Sequence, residues 1–391
     1  MATQCDVLIV GAGPAGLALG CSLAGTGLKT VLVEKSSAET LAAPAPDGRA
    51  IALTQGSMDL LDRLDVTPRF LPGEASPLRQ AHVLDGKSPF ALVFADRKRD
   101  GLGWLVPNHA IRRALHAAFR ANSGAELYTG VSAEGVRRNA ASTTVTLSDG
   151  REITARLLVA ADTRFSGMRQ KMGISAFMHD FGRTMIVCDM EHDVSHGDIA
   201  LECFFYEMTI ATLPLSGQRS SIVLTMPTGE ASRIMAMAPQ ELADDIGRRL
   251  GGRLGGMRPA GERHAYPLVA VYARKFAAER FAVIGDAAVG MHPVTAHGFN
   301  FGLASQHVLA KEIKAALARD EDFAAEAALS RYERAHRLAT FALFHATNGI
   351  ADLYSNESLP ARLVRQAGLR AANLLPPFKS FVVNRLTARA T

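Results

Sequence analysis

The stretch DVLIVGAGPAGLALG, Asp6 to Gly20, decides the fold. Val7 to Val10 is a short apolar run of the type buried in a parallel sheet, and Gly11, Gly13 and Gly16 follow it directly as GxGxxG. In this spacing Gly11 makes a tight turn and Gly13 lets the backbone approach a pyrophosphate. Ala15 lies within the same turn of chain, and Gly16 seats the next helix, expected from Pro14 to about Gly25, close on the strand. The phosphates then meet a helix N-terminus. A second strand, expected over Thr30 to Val33, ends in Glu34 and Lys35. The Glu34 carboxylate is placed to accept hydrogen bonds from an adenosine ribose and to repel a 2′-phosphate. Strand, glycines, helix, strand and acid in this order predict a Rossmann-type site for FAD or NAD, and these residues alone do not choose between the two.

A second glycine-rich stretch, VIGDAAVGMHPVTAHGFNFG from Val283 to Gly302, makes the choice. An NAD site leaves it unexplained, whereas FAD is longer and its flavin end needs protein groups of its own. Val283 and Ile284 end a strand, Gly285 turns, and Asp286 offers a carboxylate to the ribityl hydroxyls. Gly298 to Leu303 starts a helix whose amides face the flavin or its pyrophosphate. One FAD spanning both stretches is the expectation.

The rest of the composition narrows the class. At 391 residues, 48% hydrophobic and 21% charged, the chain is an ordinary globular protein with room for two joined domains. Its net charge of +5 is scattered except in the tail. From Ser358 to Thr391 there are six basic residues, Arg362, Arg365, Arg370, Lys379, Arg385 and Arg389, and no acid. That make-up fits an interfacial element drawn to anionic lipid, with a packed last helix or a partner contact as the alternatives. Nothing points to nucleic acid. Cys5, Cys21, Cys188 and Cys203 have neither CxxC spacing nor scaffold density, so reduced thiols and a cytoplasmic setting are expected. The apolar N-terminus lacks the basic flank of a signal peptide, and no apolar run is long enough to span a bilayer. His292 and His297 are five apart with no third ligand nearby, so no metal is expected.

Several stretches together resemble the class A flavin monooxygenases and, within them, the hydroxylases of ubiquinone biosynthesis. The resemblance covers nearly the whole chain. DGRAIALTQGSMDLLDRLDV (Asp47 to Val66) is similar to the family's arginine-containing segment and implies that Arg49 lies near the flavin. LGWLVPNHAIRRAL (Leu102 to Leu115) is similar to the helix along the cofactor, with Asn108 as N-cap and Arg112 as a pyrophosphate or ribityl contact. LLVAADTRFSGMRQKMGI (Leu157 to Ile174) resembles the segment whose aspartate, here Asp162, lies between flavin and nicotinamide route. ATLPLSGQRSSIVLTMP (Ala211 to Pro227) resembles a substrate-domain hairpin. Within the second flavin motif the resemblance puts Pro293 over the flavin ring, gives His292 a proton-handling or cofactor-shaping role, and assigns Gly298 and Asn300 to the cofactor. Three departures stand out: Thr163 where the family has glycine after the aspartate, Ala296-His297-Gly298 for GQG, and Ser305 near a customary aspartate.

The resemblance implies an α/β, para-hydroxybenzoate hydroxylase-like FAD domain in three pieces, 1–72, 100–174 and 267–330. An antiparallel-sheet substrate domain is expected from 73–99 and 175–266, and a helical region from 331 to 391, with Leu329, Tyr332, His336 and Ala339 on one helical stripe. It implies an FAD-dependent hydroxylase that inserts one atom of O₂ into a polyprenylated phenol or quinol through a flavin hydroperoxide. NADH, NADPH or a reductase gives the electrons. Arg49, His292 and Pro293 form the catalytic set. A polyprenyl substrate implies a place on the cytoplasmic face of the inner membrane and room for a biosynthetic complex. The alternatives are another class A flavoenzyme, such as a prenyl reductase, or a non-catalytic FAD scaffold. A flavin halogenase is disfavoured because Trp104 is the single tryptophan.

Overall fold

The computed structural model describes residues 3–85, 91–96, 101–121, 124–205, 208–293 and 297–355. Its first sheet forms around the opening motif. Thr3–Val10 pairs in parallel with Thr30–Glu34 on one side and Glu152–Ala160 on the other. Ala125–Thr129 and Phe281–Val283 extend the parallel set outward. Val7, Leu8 and Ile9 are fully buried because helices cover both faces of the sheet, which is why this strand reads as a continuous apolar run. The first helix, Pro14–Leu23, begins on Gly13 with proline in its first turn, where no amide hydrogen is missed. It packs against Gly298–Ala318, the helix opened by the second motif.

A second sheet, of nine strands among the described residues, stands beside the first. Its order runs Val289–Gly290, His264–Ala273, Ala176–His192, Arg219–Pro227, Thr209–Leu215, Ile199–Phe204, Gln80–Asp85, Ala91–Ala95, with Met257–Pro259 on the edge of Ala176–His192. Most pairings are antiparallel, as the alternating runs predicted, but Ile199–Phe204 runs parallel to Gln80–Asp85. One face is covered by the helices Thr228–Ala236 and Pro239–Arg249 through Ile186, Ile222, Leu224 and Ile246. The other face meets a small sheet, Ala50–Leu53, Gly103–Pro107 and Ser76–Leu78.

Two of the expected divisions fall inside single elements. Residues 266 and 267 both lie in the unbroken strand His264–Ala273, and residues 330 and 331 lie in the helix Glu326–Ser355. In that helix Leu329, Tyr332 and His336 are buried, but the next inward residue is Thr340, bonded to Tyr272, while Ala339 is exposed. The stripe continues by four residues rather than three because 3.6 residues make a turn. The four cysteines are buried, and among the described residues none is in a disulfide. Among the described residues, no helix is long and apolar enough to cross a membrane. The segment from Ser358 onward lies outside the described residues.

Candidate cofactor site

At the end of the first strand Gly11 turns with φ +107°, and a methyl there would lie 2.5 Å from the Ala161 carbonyl oxygen. A methyl on Gly16 would meet the Gly11 carbonyl oxygen at 1.9 Å, so the helix sits this close to the end of the strand only because Gly16 lacks Cβ. Gly13 differs: its missing Cβ faces open space. That opening stands at the N-terminus of the Pro14–Leu23 helix, the geometry of an anion seat. Glu34 closes the turn. One carboxylate oxygen accepts the Ala12 N–H at 2.8 Å and the other the Ser36 N–H at 2.9 Å, which leaves a lone pair on each for a further donor. Lys35, beside it, is exposed.

The two glycine-rich stretches touch. A methyl on Gly285 would lie 2.9 Å from Ala15 Cβ, and Gly302 packs on Gly285. Ser305 accepts the Gly285 N–H at 2.9 Å and donates to the Gly302 carbonyl at 2.6 Å, so this departure from the family pattern serves as a turn fastener. Asp286 lies on the short turn Gly285–Ala287 and accepts Arg164 at 3.0 Å. The buried Arg169 donates to the Ala287 carbonyl at 2.9 Å. Its burial lowers its pKa from the usual arginine range, with Asp162 opposing. Asp162 itself takes the Met168 N–H at 3.4 Å through Oδ2, while its buried Oδ1 has no partner among the described residues. Thr163 is exposed.

Arg49 enters from the loop before Ala50–Leu53. Its guanidinium meets Asp47 at 2.6 Å and stands over the Tyr266 ring at 5.3 Å. Asn108 opens the helix Asn108–Ala121, but its amide donates to Asp47 at 2.8 Å. The expected N-cap therefore acts as a cross-link. Burial pushes the Asp47 carboxyl up, yet Arg49 and Asn108 outweigh it and hold the pKa below its ordinary value. Arg113 on the same helix is paired with Glu74 at 2.6 Å, whereas half-buried Arg112 makes no hydrogen bond or ion pair among the described residues. Asn300 clips this side to the second motif by donating to the Ala52 carbonyl at 2.8 Å and accepting the Thr54 N–H at 3.1 Å. Gly298 starts its helix and is half-buried. Pro293 is exposed, and His292 is buried edge-on to Phe181 at 4.6 Å. Burial lowers the His292 pKa to about 4, so the ring is neutral at neutral pH. No group of metal-binding side chains occurs among the described residues.

An open seat at Gly13, an acid on the second strand, an orphaned Asp162 oxygen and an unengaged Arg112 fit an extended dinucleotide, and the contact between the motifs joins its two ends. The fold and this site define a class: flavoproteins with a Rossmann-type domain and a second, mostly antiparallel sheet beside it. The family described as FAD binding domain matches residues 4–345. The chain is 43% identical to "Ubiquinone hydroxylase UbiM" of Neisseria meningitidis, covering 99% of this chain and 85% of that one. It is 35% identical to "Ubiquinone hydroxylase UbiL" of Rhodospirillum rubrum, covering 96% and 87%. It is 26% identical to the "3-demethoxyubiquinol 3-hydroxylase" of Escherichia coli, covering 94% of each. The chain belongs to this family of FAD-dependent monooxygenases. The fold is also that of PqsL from Pseudomonas aeruginosa, with TM-score 0.80 at 20% identity over 94% of this chain and 100% of that one.

Sequence reasoning passed over Arg164, Arg169, Asp47 and Tyr266. Arg164 and Arg169 were visible as two arginines in the middle motif, but their partners lie more than a hundred positions away. Asp47 adjoins Arg49 and was hidden by the apparent surface character of its loop.

Proposed function

We propose that the protein hydroxylates a polyprenylated phenol or quinol in ubiquinone biosynthesis, using O₂. The observation that supports this reading is the contact of Gly285 with Ala15, which brings the two glycine-rich motifs together at one place. The names of the relatives support the substrate class. FAD, when bound, supplies the two-electron and oxygen chemistry. Gly11, Gly13, Ala15 and Gly16 would receive the pyrophosphate, Glu34 the adenosine ribose with Lys35 beside it, and Arg112 the phosphates. Asp286 and Asp162 would bind the ribityl chain and line the route to the ring. Gly298 and Asn300 would hold the ring's edge, and Pro293 its face. Arg49 is steered by Asp47 and Tyr266, and neutral His292, with an N–H on one ring nitrogen and a lone pair on the other, would shape the site or relay a proton from one nitrogen to the other.

The electron donor in this reading is NADH, NADPH or a reductase, reached past Asp162 and Thr163. Contact with the inner-membrane surface would come through the basic segment beyond Ser358, and a biosynthetic complex is consistent with a substrate confined to lipid. Lipid extracts of a deletion strain test the proposal. Accumulation of a polyprenylated precursor one hydroxyl short, cleared by the wild-type gene, is expected. An unchanged quinone profile overturns it.

A further inference from the structure

The second sheet carries an acid among apolar neighbours on the face that meets the small sheet. Glu202 lies in Ile199–Phe204 with Ala211 opposite it on one side and Val83 on the other. The row continues through Val223 and Val187 to His264. Directly paired residues point to the same face of a sheet, so this whole row faces one way. The direction is set by the next row, Ala200 and Leu213, which packs against Ala50 and Ala52. Ala52 is the residue whose carbonyl Asn300 holds. The Gly48 loop seats on Val187 and His264 at the same level, where a methyl on Gly48 would lie 2.8 Å from Val187. Glu202 thus lies on the face of the sheet that meets the Ala50–Leu53 strand and, three and four strands along the row, the Gly48 loop.

Its side chain is half-buried. Among the described residues it makes no hydrogen bond and no ion pair. A carboxyl withdrawn from water with no partner among the described residues leaves its oxygens open to a donor from outside the fold. Among the described residues the ionisable groups on this face include Arg183, Asp189, Glu191, Arg219, His264 and Tyr266, with Asp47 and Arg49 on the opposing loop, and Asp189 is paired with Arg219 at 3.3 Å. None offsets the burial of Glu202, whose pKa is pushed up to about 8 by desolvation alone. A carboxyl poised there exchanges a proton near neutral pH.

We propose that Glu202 is the catalytic acceptor of the ring-hydroxyl proton of the aromatic substrate. The substrate O–H bond breaks, the proton is held on a carboxylate oxygen, and the electron pair stays on the substrate oxygen and enriches the ring for oxygen insertion. No electron changes owner in this step. The apolar surround of Val83, Ala211 and Val223 suits the ring. This inference rests on the aromatic-hydroxylase reading above.

The test uses full-length FAD-loaded protein, reduced photochemically so that the native donor is irrelevant, and mixed with O₂ and 2-prenylphenol from pH 6 to 9.5. The wild type should form product at a rate that rises with an inflection near pH 8. Glu202→Gln should lower that rate at least tenfold and lose the inflection, Glu202→Asp should restore the inflection, and all three proteins should retain FAD and bind the methyl ether of the phenol equally. An active wild type with the same rate and pH profile in Glu202→Gln overturns the assignment alone. Loss of FAD in both Glu202→Gln and Glu202→Ala marks a structural carboxyl and also overturns it. A wild type that hydroxylates neither this nor other phenols overturns the underlying reading and the assignment with it.

Discussion

Arg164 and Asp286 stand 122 positions apart and meet at 3.0 Å. The same guanidinium donates to the Val269 carbonyl at 2.9 Å, in a strand of the second sheet. One side chain therefore fixes the middle motif, the flavin turn and the covering sheet to one another. The pair is partly exposed, so its value lies in aiming Asp286 more than in stability.

Asp286→Ala should weaken FAD binding by about 10- to 100-fold, the loss of a charge-assisted hydrogen bond worth roughly 1.5 to 3 kcal/mol. Arg164→Gln should also weaken it, and the double variant should lose less than the sum of the two. FAD titration monitored by fluorescence reads this. Strict additivity would show that Arg164 does not position Asp286.

Gly13→Ala and Gly16→Ala should separate binding from folding. The first adds a methyl in open space and should leave a folded protein with poor FAD retention. The second drives a methyl to 1.9 Å from a backbone oxygen and should abolish soluble folded protein. Circular dichroism with flavin content measures both, and an FAD-replete Gly13→Ala would remove the pyrophosphate from that seat.

Thr163→Gly should accelerate anaerobic flavin reduction by NADH or NADPH. Thr163 is exposed beside Asp162, and its side chain stands where the family leaves backbone space. Equal stopped-flow rates in the two proteins would show the threonine to be harmless to the donor.

Acid should destabilise the protein through His336. It is 1% exposed, stacked on Tyr332 at 6.0 Å, and its pKa is lowered by burial to about 3. Because the folded pKa lies below the unfolded one, the unfolded chain takes up a proton first as pH falls below about 6.5, and stability is lost from there down to about 3. Between pH 7.5 and 5.0 this group alone removes on the order of 2 kcal/mol. His336→Phe should shrink the fall in urea midpoint over that interval, and an identical fall in both proteins refutes the claim.

Removing the chain beyond Ser358 should spare FAD binding and abolish salt-sensitive binding to anionic vesicles, since each basic residue near such a surface contributes about 1 kcal/mol within a Debye length. Turnover of a long-chain polyprenyl substrate should drop more than that of a short-chain analogue. Loss of flavin on truncation would make the tail part of the core.

The sequence by itself determined the nucleotide half of this protein. From Val7 to Glu34 each requirement is local: a buried strand needs apolar residues, a turn with φ +107° needs glycine, and a helix N-terminus follows at fixed distance. Those constraints act between near neighbours and so are written in spacing. Asn108 shows where spacing stops, because it has the right type and place for a cap and yet its amide is drawn to Asp47, 61 positions earlier. Arg164 with Asp286, Ser305 with Gly285, and Glu202 on the face that meets Ala50 and Ala52 are likewise choices among partners far off in the chain. Only tertiary structure decided them, because the pairing of distant strands sets which side chains face one compartment, and a strand shifted by a single residue would turn Glu202 to the other face.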